Sequence, residues 1–236
     1  MTERLTLLTA TGARPEAWAI CERLMAEQTY AGPVRWIIVD DGEQPQPLTF
    51  RRAGWALTIV RPQPYWARGQ NTQARNLLAG LACVDDDERV VIIEDDDHYA
   101  ADWLEVVDQY LGRAELVGET RARYYNVALR RARQLNNATH SSLCSTAVRG
   151  AAIDALRNEC RRADTFIDLG LWRRFAGPKL LFSGHRVTGI KGLPGRGGIG
   201  MGHSQQFNGQ ADPEGQILRE WIGAAAEWYA PAECAQ

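Results

Sequence analysis

Four consecutive carboxylates, Glu94 to Asp97, are the residues of this sequence best suited to chemistry. They follow the apolar run 90–93, whose β-branched side chains predict a short strand buried on both faces. Adjacent negative charges repel one another, and a divalent cation would hold them together. Because every ligand would be an oxygen, a hard ion such as Mg2+ or Mn2+ is favoured. The alternative is the acidic start of a helix capped by Asp97, since acids are common at helix N-termini.

The elements that would position these carboxylates alternate between strands and helices through the first half of the chain. This alternation predicts an α/β fold with a mainly parallel central sheet flanked by helices. Ligands of such sheets bind beyond the carboxyl ends of the strands, where the four acids fall. Predicted strands cover 5–11, 34–39, 57–60 and 90–93, with helices opening near Pro15 and over 74–82. The less regular second half predicts strands within 115–127, 142–148 and 180–182, and helices over 151–163, 168–175 and 214–229.

Composition and charge leave the class of partner open. The 236 residues are 45% hydrophobic and 24% charged, which is typical of one globular domain. The net charge of −2 argues neither for nor against nucleic acid, although all but two of the 27 basic residues are arginine. Five scattered cysteines without C-x-x-C spacing predict neither a zinc site nor a disulfide framework. Without a signal peptide or a long apolar run, we expect a soluble cytoplasmic protein with no membrane anchor.

Several segments share an order and spacing that resemble a known family. Together they resemble the nucleotide-sugar-binding half of GT-A glycosyltransferases, family 2 in particular. The matching segments are Gln28-Thr29-Tyr30, Ile37 to Gly42, Ala74-Arg75-Asn76, Val90 to Asp97 and Asp102-Trp103-Leu104. The resemblance implies a GT-A (Rossmann-like) single domain over 1–236, with a nucleotide-sugar-binding half at 5–110 and an acceptor half at 111–236. Two departures are Glu94-Asp95-Asp96 in place of Asp-x-Asp, and Ala101 in place of the usual proline.

The same resemblance implies roles for individual residues. Asp96 would bind the metal directly, with Glu94 and Asp95 contacting ribose or metal-bound water, and the metal would stabilise the negative charge on the departing diphosphate. Arg75 would face the nucleotide or brace the acidic turn. The base or ribose, most often of uridine, would lie in a pocket formed by Asp40, Asp41, Thr9, Thr11 and Arg14. The alternatives are a plain strand-ending turn at Asp40-Asp41-Gly42 and a surface charge at Arg75.

A second acidic position could supply the general base. The segment 166–174 resembles the family motif Glu-Asp-x-x-Leu-x-x-Arg, and Asp168 falls on the base of inverting members, although Ile167 replaces the glutamate. A carboxylate there would take the proton of an acceptor hydroxyl as it attacks the sugar. The alternative is a helix-capping aspartate.

The stretch 184–202 contains eight glycines, which predict neither a stable helix nor a strand. Such a stretch is typical of a mobile lid whose amides, with Lys191 or Arg196, reach phosphate oxygens. His203, directly after the lid, is a further candidate metal ligand, as in several GT-A enzymes, and the alternative is a structural histidine.

Residues 113–162 hold ten arginines against four acids, with Tyr124-Tyr125 among them, which favours a polyanionic acceptor. With the glycine-rich loop 193–200, the chain resembles small phage-type glycosyltransferases, some of which glucosylate hydroxymethylated pyrimidines in DNA. That resemblance implies a nucleotide diphosphate sugar donor and double-stranded DNA with modified, flipped-out bases as acceptor.

Three alternatives to this acceptor and this class stay open. The arginines could form a solvated face, and the acceptor could be a glycan or lipid-linked saccharide. The chain could also be a nucleotide-sugar-binding or nucleotidyltransferase-like protein. A nucleotidyltransferase usually has a lysine-containing loop after its first strand, where this sequence has Thr11-Gly12-Ala13-Arg14.

Overall fold

The computed structural model describes residues 3–198, 201–203 and 205–229, which form two β-sheets with flanking helices. The strands are β1 Leu5–Thr11, β2 Val34–Asp40, β3 Trp55–Val60, β4 Arg89–Ile92, β5 His98–Tyr99, β6 Leu116–Glu119, β7 Arg123–Asn126, β8 Arg131–Gln134, β9 Thr146–Arg149, β10 Lys179–Phe182, β11 Val187–Lys191 and β12 Gln210–Ala211. The α-helices are α1 Pro15–Ala26, α2 Gln73–Leu81, α3 Trp103–Leu111, α4 Ala151–Arg162, α5 Ile167–Arg174 and α6 Gln216–Ile222. Short 3-10 helices cover Leu143–Ser145, Met201–His203 and Gly223–Tyr229.

The larger sheet has seven strands in the order β10-β6-β9-β4-β1-β2-β3. Only β9 runs against its neighbours, pairing antiparallel with both β4 and β6, while the other pairs are parallel. The mainly parallel central sheet predicted from the sequence is therefore confirmed. Because β4 and β6 are both antiparallel to β9, they share one direction, and their carboxyl ends lie at the same edge.

Helices cover both faces of this sheet, which explains its apolar strands. On β1, Leu7 packs with α1 and α3 on one face, whereas Leu8 packs with α2 and α4 on the other. The first face contains four aromatic rings in mutual contact: Trp18, Trp36, Phe50 and Trp55. The Trp36 indole N–H donates a 2.9 Å hydrogen bond to Thr9 Oγ1, which satisfies both buried groups.

The smaller sheet, β12-β8-β7-β11-β5, corrects the prediction that 184–202 contains no strand. Val187–Lys191 forms β11, which is buried along its length and pairs with β7 and β5. Gly189 serves packing here: a Cβ added to it would lie 2.5 Å from the Tyr124 ring opposite. The glycine density therefore reflects close contact in this part of the stretch. Residues 199 and 200 of the predicted lid lie outside the described residues.

Two predicted helices begin or end elsewhere. The acidic stretch does not open a helix at Asp97, because His98 and Tyr99 form β5 against β11 and α3 begins only at Trp103. The C-terminal helix ends at Ile222, since Gly223 has a φ of 60° that an α-helix cannot continue, and a 3-10 helix follows. Among the described residues, no helix has the length and apolar character required to cross a membrane.

Replacing Trp36 by alanine should lower the free energy of unfolding by about 3–5 kcal/mol. The ring is fully buried, and its loss also removes the donor to Thr9. Urea denaturation followed by circular dichroism measures the change. The control Ile59→Ala alters a side chain that is 52% exposed, and it should change stability by less than about 0.5 kcal/mol. Similar losses in both variants would contradict the assignment of Trp36 to the core.

Candidate active site

The four carboxylates lie just beyond the carboxyl end of β4, and Arg14 from the connection between β1 and α1 neutralises two of them. Its Nη1 lies 2.7 Å from Asp95 Oδ1 and its Nη2 lies 2.6 Å from Asp96 Oδ2. Thr11 Oγ1, at the end of β1, donates a 2.6 Å hydrogen bond to Asp95 Oδ2. Asp95 and Asp96 are thus held by charge-assisted bonds from the neighbouring strand and its loop.

Lys191, the last residue of β11, provides the second counter-charge. Its Nζ lies 2.8 Å from Asp97 Oδ1, 3.7 Å from Glu94 Oε2 and 3.8 Å from Asp96 Oδ1. The Ile190 backbone N–H donates a further 2.8 Å bond to Asp97 Oδ1. The chain thus supplies Arg14 and Lys191 as cations to the acidic turn, where the sequence suggested a bound ion or a brace from Arg75.

The surroundings shift the pKa values of Asp96 and Glu94 in opposite directions. Burial alone would raise the pKa of Asp96, but the charges of Arg14 and Lys191 outweigh it and hold the pKa well below its usual range. Burial raises the pKa of Glu94 to about 8, assisted by Asp97 and Asp96 and opposed by Lys191. Asp96 is therefore ionised at neutral pH, whereas Glu94 is mainly protonated.

Asp96 and His203 form a donor pair that fits a divalent cation. His203 Nε2 lies 3.8 Å from Asp96 Oδ2. Burial and the charge of Lys191 lower the pKa of His203 to about 4 against the opposing effect of Asp96, so its ring is neutral at pH 7. The carboxylate of this pair would suit Mg2+ or Mn2+, and the neutral imidazole would favour Mn2+ over Mg2+, whose preferred ligands are oxygens. Arg14 already donates to Asp96 Oδ2 and would share that oxygen with an ion.

A second group, Glu94, Asp97 and Cys144, has its possible ligand atoms within 4.8 Å of one another. Burial raises the pKa of the Cys144 thiol well above its ordinary value, and the nearby Asp97 and Glu94 raise it further. The thiol is thus protonated, and Asp97 is already paired with Lys191. In this group Glu94 and Cys144 are protonated and Asp97 is paired with Lys191. The sequence analysis did not select Cys144 as a member of it.

Asp41, at the end of β2, is fully buried and accepts bonds from four side chains. The donors are Thr72 Oγ1 at 2.5 Å, Asn76 Nδ2 at 2.8 Å, Arg75 Nη2 at 3.1 Å and Arg196 Nη1 at 2.5 Å. Burial acts to raise the pKa of Asp41, but the bonds from Arg196, Thr72 and Asn76 bring it below the usual value. Arg75 therefore braces this carboxylate and is not a free surface charge.

The other predicted pocket residues have structural partners. Asp40 accepts bonds from the backbone N–H groups of Gly42 and Gln46, at 3.0 and 2.9 Å, as a strand-ending turn requires. Thr9 is fully buried against Trp36 in the core, so the structure does not bring it to the pocket. The described residues thus assemble Thr11, Arg14 and Asp41 near the turn, and Asp40 supports the loop between them.

Arg196 closes the space between the acidic turn and β2. Besides its bonds to Asp41, its Nη2 donates to Thr72 Oγ1 at 2.6 Å and its Cζ lies 4.5 Å from the centre of the Trp66 ring. The Arg196 guanidinium therefore holds the loop after β11 against the carboxyl end of β2. Trp66 and Thr72 lie in an irregular polar segment and show no periodicity, so the sequence analysis did not select them.

Asp168 lies in the first turn of α5 and is close to Leu143 of the 3-10 helix Leu143–Ser145. Its Oδ1 accepts a 2.8 Å bond from the Leu169 N–H, and burial raises its pKa against the effects of that bond and of the nearby His140. The N-cap position of α5 is Phe166 and no side chain caps this helix, so the capping alternative for Asp168 is not met. The raised pKa suits a carboxylate that takes up a proton.

The comparisons with known proteins identify a shared fold. No protein-family model and no curated protein sequence matches this chain. A crystal structure of S. aureus TarS matches with a TM-score of 0.57 and 10% identity over 77% of this chain and 35% of that chain. Structures of TarS 1-349 match at TM-scores of 0.53 in complex with UDP-GlcNAc and 0.50 in complex with UDP, with 10% and 11% identity, 82% and 77% of this chain, and 60% and 62% of the TarS fragment.

The chain thus spans about a third of the full TarS chain and about three-fifths of its fragment. At these identities the likeness is one of fold: a GT-A-type α/β arrangement around a mostly parallel sheet. This fold agrees with the one expected from the sequence.

Hydrogen exchange should divide the predicted lid into two parts. Amides of 188–190 lie in a buried strand and should exchange slowly in the free protein, whereas amides of 192–198 should exchange faster. Arg196→Gln should speed exchange over 192–198 only, because it releases the loop from Asp41 and Thr72. The control is Arg68→Gln, an exposed arginine in the Trp66 loop. Slow exchange across 192–198 in the Arg196 variant would show that other contacts hold the loop.

Proposed function

We propose that this protein is a nucleotide-sugar-dependent glycosyltransferase that uses a UDP-sugar. The observation that carries the proposal is the ionised Asp96 beside neutral His203, at the carboxyl edge of a GT-A-type sheet. The likeness to TarS structures in complex with UDP and UDP-GlcNAc supports this class of donor. Because the likeness covers only part of TarS at low identity, donor and reaction are inferences from the site.

Asp96 and His203 would hold Mn2+ or Mg2+, which would stabilise negative charge on the departing diphosphate. Arg14 and Lys191 both lie within 4 Å of the Asp96 carboxylate and would add positive charge beside that diphosphate. Arg196 covers Asp41 in the free protein, so a nucleotide entering beside β2 must displace its guanidinium. Once released, that guanidinium can turn to the phosphates, which is the role expected for it from the sequence.

Asp168 is proposed as the general base. Burial favours its protonated form, so it accepts a proton more readily than an exposed aspartate does. Direct attack by a deprotonated acceptor, opposite the leaving diphosphate, inverts the anomeric configuration. An α-linked donor would then give a β-linked product.

The acceptor expected from the sequence, a hydroxymethylated pyrimidine in DNA, stays a prediction, as do the phage-type affiliation and the cytoplasmic location. The arginines of 113–162 lie on separate elements, with Arg131 and Arg133 on β8 and Arg157 and Arg161 on α4. Arg157 is engaged by Asp86 and Asp154. This distribution gives less support to a DNA-binding face than the sequence suggested. A glycan or lipid-linked saccharide is the second candidate acceptor.

Asp96→Asn should abolish the Mn2+-dependent rise in melting temperature that UDP or a UDP-sugar produces, because it removes the ionised ligand. Thermal shift with each UDP-sugar, with and without Mn2+, measures this. Asp87→Asn is the matched control, since Asp87 is exposed in a turn before β4. Equal stabilisation of the Asp96 variant and the parent by metal plus nucleotide would refute the metal assignment.

Asp168→Asn should lower kcat by about 10²–10⁴-fold while leaving UDP-sugar and metal binding unchanged, as expected for loss of a general base. Asp164→Asn, an exposed residue in the connection just before α5, should keep the parental rate. Proton NMR of the anomeric coupling should show a β product from an α donor. An α product, or a near-parental rate in Asp168→Asn, would show that the mechanism is a retaining one or uses another base. Donor binding without transfer to any acceptor would favour the alternative class, a nucleotide-sugar-binding protein.

A further inference from the structure

A cleft of about 540 Å3 lies outside the site described above, at the ends of β6 and β10. Its lining includes Thr120 and Arg121 after β6, Asn136 from the loop after β8, and Phe182 and Ser183 at the end of β10. The Thr120 N–H and hydroxyl both donate to the Phe182 carbonyl, at 2.8 and 3.1 Å, and so connect the ends of β6 and β10. Its volume falls within the usual range for small-molecule sites. We call it the β6–β10 cleft.

The cleft opens at the same sheet edge as the acidic turn. β4 and β6 run in the same direction on either side of β9, and β10 is parallel to β6. The residues after β6 and β10 therefore lie beyond carboxyl ends, as Glu94 to Asp97 do after β4. A molecule in the β6–β10 cleft can extend towards the donor side across the end of one strand.

A short chain of contacts also links the cleft to Asp168. The Asn137 side chain accepts a 2.9 Å bond from the Ala122 N–H and donates a 2.9 Å bond to the His140 carbonyl. His140 lies close enough to Asp168 for its charge to act on that carboxyl. The loop that carries Asn136 into the cleft is thus the loop that brings His140 to the candidate base.

The charge that the described lining residues carry is positive and comes from Arg121. Arg121 is exposed and, within the described part of the chain, its guanidinium makes neither an ion pair nor a hydrogen bond. Its φ of 56° is in the left-handed region, as is the φ of 56° of His185 after β10. Such conformations are unfavourable for residues other than glycine and concentrate at ligand sites. His185 lies near Arg123 and Arg121: burial first, and then these two charges, lower its pKa.

We propose that the β6–β10 cleft binds one anionic group, a phosphate or carboxylate, carried by a saccharide or polyol acceptor. Arg121 would hold the anion with its planar guanidinium, and Thr120, Asn136 and Ser183 would bond to hydroxyl groups of the same unit. Anion binding stands on the cleft alone, whereas its assignment to an acceptor rests on the proposed glycosyl transfer.

A single anionic group fits better than a DNA duplex. Among the described residues that line the cleft, Arg121 is the only charged one. A duplex is held by several phosphate contacts at once, and its affinity falls steeply with salt. One guanidinium among neutral hydroxyl and amide groups suits a small unit that bears one charge.

The test uses glucose 6-phosphate, glucuronate and uncharged glucose as probes, titrated into the full chain and followed by NMR. We expect both anions, but not glucose, to shift amides of 120–122 and 183–185. Arg121→Gln should weaken anion binding about tenfold or more, as expected for loss of a charged hydrogen-bond donor. Arg133→Gln is the matched control, an exposed arginine of β8 outside the cleft, and it should bind as the parent does.

Binding of glucose as tight as that of the anions, or equal anion affinity in Arg121→Gln and the parent, would overturn the proposal. So would duplex DNA that competes with the anions and loses affinity equally in Arg121→Gln and Arg133→Gln, because that result indicates a diffuse basic face.

Donor binding separates this proposal from the proposed function. Thermal shift with UDP and Mn2+ should be the same in Arg121→Gln and the parent. Anion binding without any UDP effect would refute the glycosyltransferase and leave the anion site in place. A UDP effect without anion binding would refute the anion site and leave the proposed glycosyltransferase in place.

Discussion

The compensation of negative charge at the end of β4 is the interaction on which the rest of the site depends. Three aspartates are almost completely buried there, and buried carboxylates are tolerated only when they are paired. The partners come from different parts of the fold: Arg14 follows β1 of the larger sheet, and Lys191 ends β11 of the smaller one. Removing one partner of a buried pair typically costs about 3–5 kcal/mol. The acidic turn therefore joins the two sheets as well as preparing a site.

The elements of the larger sheet could be predicted where a local pattern is strong. β1, β2 and β4 are apolar runs, and α1, α2 and α4 have apolar faces, so their existence follows from periodicity alone. The smaller sheet could not be predicted in this way. β5 and β12 have two residues each, β8 is polar, and β11 contains a glycine that is required by the Tyr124 ring. Their pairing depends on partners distant in the sequence.

The same distinction holds for the candidate site. Asp40, Asp41 and the acidic turn could be selected because they follow predicted strands, but their partners could not. Arg196 reaches Asp41 across 155 positions, and Lys191 reaches Asp97 across 94. Burial of Thr9 against Trp36 likewise depends on which face of β1 is turned towards α1. The resemblance to a family supplied the expected positions, while the contacts that set charge and access belong to the tertiary structure.

The lone antiparallel strand has a geometric consequence for a ligand that would reach both sides of the sheet edge. β9 is inserted between β4 and β6, and adjacent strands are spaced about 4.8 Å apart, so the axes of β4 and β6 are about 10 Å apart. Backbone ladders maintain this interval, and movement of the surface loops leaves it unchanged. A saccharide chain bound beyond β6 would reach the end of β4 across this fixed distance. The length of its repeating unit would therefore determine which hydroxyl lies next to the donor.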